Sequence, residues 1–393
     1  MTTTAQMPAA IIGAGIVSAI GCNLDETRRN LFDESCVPPL LPRKVDTALQ
    51  LPVFEIPNLN KDPEMPGGIA VQLLELALNE ALDDAKLSLE SLRNRKIGVA
   101  IGTTVACQLN DIPFYAELRT GKQPPRKPLV DYIQTNPAEY IRRKLRLNGP
   151  ALTVSNACAS GADAIGIALL WLRQGLCDMV IAGGTDELNK VPLDGFNALG
   201  VCSSAPCRPF DADRCGLNLG EAAGILILSR ERPAGRRLAV TGFGKSADAF
   251  HITQPEPSGK GLQKAIENAL QSTGGIALND IAFINAHGTG TQANDAVETT
   301  VFARMFGETI PFMSTKGRTG HTLGAAGAIE AIFTAIMLEQ QCAVKSIRYE
   351  KRPENAPVEP LRHNLPLHGA TSALSTSLAF GGSNSALVIS LLN

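Results

Sequence analysis

Short unbroken apolar runs alternate along the chain with longer stretches of helical spacing. Residues 9–21, AAIIGAGIVSAIG, read as a strand and turn. GIAVQLLELALNEALDDA (68–85) places apolar residues at helical intervals, and KIGVAIGTTV (96–105) reads as a strand. LTVSNA (152–157) is a strand running into a helix, CASGADAIGIALLWLRQG (158–175). MVIAGGTDE (179–187) and AAGILILS (222–229) are further strands. Apolar runs without polar alternation, separated by helices, predict a buried, mostly parallel sheet covered by helices.

The pattern restarts after a short polar stretch, ERPAGRR (231–237). LAVTGFG opens the second part, followed by a helix at 259–272, IAFINAHGTGT (281–291), a helix after the loop at 320–327, and a closing ATSALSTSLAFGGSNSALVISLL. Two echoes join the parts. GVAIGTTV resembles FINAHGTGT, and TVSNACASG resembles LSTSLAFGG. Such self-similarity predicts a duplicated α/β unit, with halves at 1–235 and 236–393. At 393 residues the chain also exceeds the roughly 250–300 at which one core stops growing.

Composition narrows the function. Hydrophobic residues make up 44% and charged residues 19%, too apolar for a disordered chain. Thirty-six basic against 38 acidic residues give a net charge of -2, which argues against nucleic-acid binding. No apolar run approaches the ~20 residues of a membrane helix. MTTTAQMPAA has no basic n-region ahead of a signal core. Nine cysteines, an odd number, then read as reduced thiols in the cytoplasm.

Gly13-Ala14-Gly15 is the start of a dinucleotide fingerprint, but Ser18 stands at the third glycine position and no clear βαβ unit follows, so no nucleotide site is assigned. Cys158 sits at a strand-to-helix junction among small residues, Ser155-Asn156-Ala157-Cys158-Ala159-Ser160-Gly161. Free N–H groups at a helix start favour thiolate over thiol and can hold an oxyanion. On spacing alone Cys158 reads equally as a nucleophile or as a small buried residue. Two histidines shift that balance. His287 lies in Asn285-Ala286-His287-Gly288-Thr289-Gly290-Thr291, and His321 closes Ser314-Thr315-Lys316-Gly317-Arg318-Thr319-Gly320-His321. Glycine-rich loops at strand ends are where α/β proteins place their chemistry. His251, His363 and His368 read as surface residues. No metal is assigned, because ligand spacing is missing. Asp295 and Glu298 follow His287. Glu330 lies on an apolar helix and wants a partner, for which Lys316 is the candidate.

Five segments together resemble the β-ketoacyl-acyl carrier protein synthases of the elongating, Cys-His-His branch of the thiolase superfamily. They are SNACASG, RPFDADRCGLNLGEAAG (208–224), NAHGTGTQANDAVE (285–298), STKGRTGHTLGAAGAIEA (314–331) and SLAFGGSNS (377–385), and the likeness covers nearly the whole chain. The resemblance implies a thiolase-like five-layered αβαβα fold from two similar halves. It implies that Cys158 takes an acyl chain from a carrier-protein thioester. His287 and His321 would bind the malonyl carbonyl and drive decarboxylation, so that the resulting carbanion attacks the acyl-cysteine. Backbone N–H groups of Cys158 and Phe380 would form the oxyanion hole, with Phe380 also the gate. Lys316 would pair with Glu330, Asp295 and Glu298 would organise that network, and Thr289 and Thr291 would touch phosphopantetheine. No cofactor is implied beyond that carrier-borne arm. The partners implied are acyl carrier protein and either a second copy of the chain or a chain-length-factor-like subunit.

Departures from the family matter too. Arg214-Cys215-Gly216-Leu217 replaces a common Arg-Asp-Gly-Phe, Gly317 stands where Ser is common, and Val105 matches a position bounding the acyl pocket. With the unusual stretch 108–132, these changes suggest a polyketide- or aryl-polyene-type synthase. A thiolase would carry a second Cys in LAFGGSN, and an initiating synthase would carry Asn for His321. A silent chain-length subunit would lack Cys158. An acidic carrier needs a basic rim, for which Arg142, Arg143, Lys144 and Arg146, or Arg126 and Lys127, are candidates.

Overall fold

The computed structural model describes residues 7–35, 37–45, 47–57, 59, 62, 65, 68–104, 112–127, 129–130 and 136–392. Its main sheet is built from β1 (Ala9–Val17), β2 (Ile97–Gly102), β3 (Ala151–Val154), β4 (Met179–Asp186) and β5 (Ala222–Ser229). The second part adds β6 (Leu238–Ala247), β7 (Ile281–Asn285), β8 (Phe312–Met313), β9 (Ser372–Ala379) and β10 (Ser383–Leu391). The helices used below are α1 (Gly68–Asp84), α2 (Pro137–Lys144), α3 (Ser160–Arg173), α4 (Lys190–Ala198), α5 (Lys260–Thr273), α6 (Gln292–Phe306) and α7 (Ala326–Glu339).

The strand order reads the same outward from a central seam. On one side it runs β1, β5, β4, β2, β3; on the other, β6, β10, β9, β7, β8. Strand directions repeat as well, and the sheet is mixed rather than mostly parallel, because the strands nearest the seam pair antiparallel. β2 runs parallel to β3 and β4, as β7 does to β8 and β9. β5 is antiparallel to both its neighbours, as is β10. The seam itself is narrow, pairing only Ala9 with Val240 and Ala10 with Ala239.

This topology gives the duplication a definite register. GVAIGTTV and FINAHGTGT do lie on equivalent strands, β2 and β7. The second echo is corrected. TVSNACASG follows β3, whose counterpart is β8, whereas LSTSLAFGG runs through β9, the counterpart of β4. Both segments are small-residue strands entering a turn, and that composition suits any buried strand end.

Five layers result. α1 packs on β1, β5 and β4, and α2 covers β2 and β3. α5 covers β6 and β10, with α6 beside it. α3 and α7 touch each other and both sets of strands, so they form the middle layer. Their sequences suit that place. α7 is buried at every position from Ala326 to Leu338, which only a helix covered on all sides accepts. α1 instead buries a stripe, Ala70, Val71, Leu73, Leu74, Ala77, Leu78 and Ala81, and leaves its other face wetter. β4 and β5 are buried throughout, as expected for strands covered on both faces. The linker read at 231–237 joins β5 to β6.

Close backbone approach fixes where the middle layer begins. A Cβ placed on Gly102, at the end of β2, would meet the carbonyl carbon of Ser160 at 2.2 Å and its oxygen at 2.3 Å. Backbone cannot swing aside as a side chain can. Gly102→Ala is expected to destabilise the fold by about 1–3 kcal/mol, the usual cost of overpacking. Denaturant titration of the two proteins measures it, and equal midpoints would refute this reading of the contact.

Candidate active site

β3 delivers the chain to a turn that its own hydrogen bonds hold under strain. Ala157 has φ of 45°, a left-handed value that an L side chain resists. Ser160 Oγ accepts from the Asn156 N–H at 2.8 Å and donates to the Ala157 carbonyl at 2.6 Å. The Asn156 amide donates to Asp163 at 2.6 Å and meets Ser383 Oγ at 2.8 Å. Cys158 follows, 4% exposed, just before α3, whose N-terminus has no side-chain cap.

The thiol does not behave as the helix start alone suggests. Burial pushes the Cys158 thiol up to about 12, and the nearby Asp186 carboxylate adds to this. The Lys316 ammonium and the backbone N–H groups of Phe380 and Cys158 pull the other way and lose. The expectation of a resting thiolate is therefore corrected. Water exclusion outweighs a helix terminus when the sulfur is sealed in.

His287 and His321 face each other with ring centroids 5.2 Å apart and planes at 85°. Each ring has its Nδ1 engaged. The Leu323 N–H donates to Nδ1 of His321 at 3.1 Å, and Lys316 Nζ lies 3.2 Å from Nδ1 of His287. Since Nδ1 accepts in both, the proton of each neutral imidazole belongs on Nε2. Burial holds both rings well below the usual histidine range, and the Lys316 charge lowers them further. The pair is neutral near pH 7 and offers two N–H donors.

Behind the rings lies a sealed polar cluster. Lys316 Nζ donates to the His287 carbonyl at 2.6 Å and pairs with Glu330 Oε1 at 2.5 Å, both side chains almost wholly buried. Burial pushes the Glu330 carboxyl upward, opposed by the Lys316 charge. Glu298 takes the backbone N–H of His287 at 2.8 Å and of Gly288 at 2.6 Å, fixing the loop that carries the ring. Its carboxyl is pushed up to about 7, chiefly by burial and less by neighbouring Asp295. Asp295 accepts from the Phe210 N–H at 2.6 Å and the Gly290 N–H at 3.2 Å, with Arg214 3.7 Å away. Segment 208–224 supports His321 as well: the His321 N–H donates to the Asn218 carbonyl at 2.8 Å, and the Gly220 N–H to the His321 carbonyl at 3.0 Å.

One cavity of about 310 Å³ gathers Cys158, His287, His321, Phe380, Thr289, Thr291 and Leu217 in its walls. It reaches the surface beside Leu199, itself 52% exposed. Thr289 and Thr291 share a 2.9 Å hydroxyl contact. Lys316, Glu330, Asp295 and Glu298 stand behind the wall. Val105 lies outside the described residues, as does part of 108–132. Phe196 on α4 carries no mark in the sequence, yet its ring stacks on Phe380 at 5.3 Å and 19° and meets His321 at 6.4 Å. A lone Phe in a loop-rich stretch gives no local signal. His251, His363 and His368 are exposed. Of the basic candidates, Arg142 and Arg143 clasp Glu139 at 2.6 Å, and Lys144 pairs with Glu75. These three cations share two carboxylates and stay partly exposed; Arg146, Arg126 and Lys127 are exposed as well. Among the described residues no cluster of His, Cys, Asp and Glu suits a metal ion, and no helix is long and apolar enough to cross a membrane.

Comparison with known proteins decides the family. The pattern of the beta-ketoacyl synthase N-terminal domain matches residues 68–234, and that of the C-terminal domain residues 238–350. The chain belongs to the beta-ketoacyl synthase family. The synthase is 32% identical to the mitochondrial 3-oxoacyl-[acyl-carrier-protein] synthase of Arabidopsis thaliana, over 96% of this chain and 92% of that protein. It superposes on a chain of the ishigamide ketosynthase/chain length factor with a TM-score of 0.89, at 28% identity, covering 99% of this chain and 100% of that one. A chain from the complex of a ketosynthase with its chain length factor from Xenorhabdus doucetiae gives 0.83 at 31% identity, with 98% of each covered. The synthase is thus an acyltransferase-type enzyme of fatty-acid or polyketide elongation.

The buried thiol has a direct test. Below its pKa the thiolate fraction rises tenfold per pH unit, so alkylation of Cys158 by iodoacetamide is expected to climb steadily through pH 9. Mass spectrometry of the Cys158 peptide follows it. A plateau below pH 8 would show the helix terminus and Lys316 prevailing over burial.

Proposed function

We propose that the synthase performs a decarboxylative Claisen condensation with Cys158 as nucleophile and His287 and His321 as donors to the malonyl carbonyl. The observation that carries this reading is the shared cavity, in which one sulfur and two neutral, Nε2-protonated imidazoles face the same space.

The sulfur attacks a carrier-borne acyl thioester. The carbonyl oxygen gathers charge between the N–H groups of Cys158 and Phe380, and the departing phosphopantetheine thiolate takes the proton that Cys158 gives up. A thiol raised to about 12 suits a step in which proton and acyl group change places together. Thr289 and Thr291 line the approach and contact the arm. Malonyl thioester enters next. Its carboxylate leaves as carbon dioxide, and the electron pair moves into an enolate whose oxygen needs fixed donors, which the two Nε2–H groups supply. The enolate carbon attacks the acyl-cysteine carbonyl. Collapse expels the Cys158 sulfur, which takes one proton from solvent, and releases a β-ketoacyl thioester. Apart from that solvent proton, the chain and the carrier arm supply every group the steps use.

Acyl carrier protein is the partner this chemistry requires. The Cys158, His287 and His321 set supports the catalytic subunit, as a homodimer or beside a chain-length-factor-like subunit. Leu217 and Cys215 in the cavity wall support a specialised polyketide- or aryl-polyene-type substrate. The described cysteines are all free, which supports a reducing compartment, and we assign the cytoplasm.

His321→Ala is expected to slow malonyl decarboxylation by about 10²–10³-fold, the usual cost of one such donor, while Cys158 still acquires an acyl adduct. Carbon dioxide release and intact-protein mass spectrometry read the two steps, and decarboxylation at the parent rate would defeat the role. A primer panel addresses pathway: unsaturated or aryl primers should load Cys158 at least as fast as saturated ones. Loading of saturated primers alone would place the enzyme in ordinary fatty-acid synthesis.

A further inference from the structure

We propose that Asp186, at the end of β4, is the positioning residue that keeps the His321 ring aimed at the malonyl carbonyl. The inference rests on the role given to His321 above.

His321 is held by two different devices. Its peptide is pinned by Asn218 and Gly220, as described. Its ring is fixed through Nδ1, which accepts the Leu323 N–H at 3.1 Å. That N–H depends on an unfavourable backbone. Leu323 has φ of 53°, a left-handed value for a bulky, fully buried side chain. Such conformations are strained and persist only where the surroundings enforce them.

Asp186 supplies the enforcement. Its Oδ2 accepts the Gly324 N–H at 2.6 Å and the Thr104 N–H at 2.8 Å, and its Oδ1 accepts the Thr103 hydroxyl at 2.8 Å. The carboxylate is completely buried. It therefore ties the residue after the strained Leu323 to the ends of β2 and β4, which belong to the other half of the chain. The fit leaves no slack, since a Cβ on Gly324 would lie 2.6 Å from the Thr104 nitrogen and 2.7 Å from Asp186 Oδ2. The charge also raises the Cys158 thiol, so its placement works against the nucleophile and for the histidine. With the Leu323 N–H displaced, Nδ1 of His321 would be free to carry the proton itself, and Nε2 would cease to be a donor.

The two half-reactions separate this role from simple structural support. In Asp186→Asn, malonyl decarboxylation is expected to fall about 10- to 100-fold, short of the loss on removing the donor itself. Acylation of Cys158, counted per folded molecule by mass spectrometry, should stay within about threefold of the parent. Thr103→Val removes one bond and keeps the charge, so it serves as the deciding variant if Asp186→Asn does not fold. It should lower decarboxylation about three- to tenfold and leave acylation alone. A loss shared equally by both steps, or no loss in either, overturns the proposal. A parent enzyme that neither acylates nor decarboxylates would instead strike the condensing role itself.

Discussion

An ammonium group sealed behind the cavity wall sets the terms for every other group in this pocket. Lys316 is nearly inaccessible to water, and an unpaired cation there would carry a large desolvation penalty. Glu330 offsets it from the mostly apolar helix α7, which explains why a buried carboxylate sits on that helix at all. The pairing leaves a local dipole whose positive end touches Nδ1 of His287. That end disfavours a proton on either imidazole and lowers the sulfur partway back from the value burial imposes.

Dryness has opposite effects on the two kinds of chemistry in the cavity. It penalises a resting thiolate, so Cys158 waits as a thiol. It also strengthens every fixed donor, because a hydrogen bond to a developing oxyanion is worth more where water cannot compete. A pocket built this way favours transition states in which charge is transient and already surrounded by N–H groups.

Much of this was legible in the sequence, for reasons that differ by residue. Cys158, His287, His321 and Lys316 announce themselves through glycine-rich strand ends, and Glu330 through its polarity on an apolar helix. Apolar runs pointed to a buried sheet covered by helices, while the five layers came only from the family resemblance. Other parts had no local signature. Phe196 matters only because α4 folds over Phe380. The duplication was visible, but its register was not: β3 and β9 look alike because buried strands entering turns use the same small residues. The state of the thiol was hidden because helix capping is local and burial is a property of the whole fold. That Lys144 on the basic helix α2 pairs with Glu75 was not visible either, because the two lie far apart in sequence.

Internal repetition supplies each strand end in two copies, and the pair need not stay alike. The end of β3 became a cysteine elbow, and the matching end of β8 leads to the lysine and the second imidazole. β2 ends in hydroxyls where β7 ends in the first imidazole; β4 ends in an acid where β9 leads to the Phe380 ring in the cavity wall. A pseudo-twofold scaffold thus lends itself to a division of labour, one half bringing a thiol and the other two imidazoles to the same cavity. The two must meet at an axis, so a reaction joining two unlike carbon fragments sits naturally where the copies face each other.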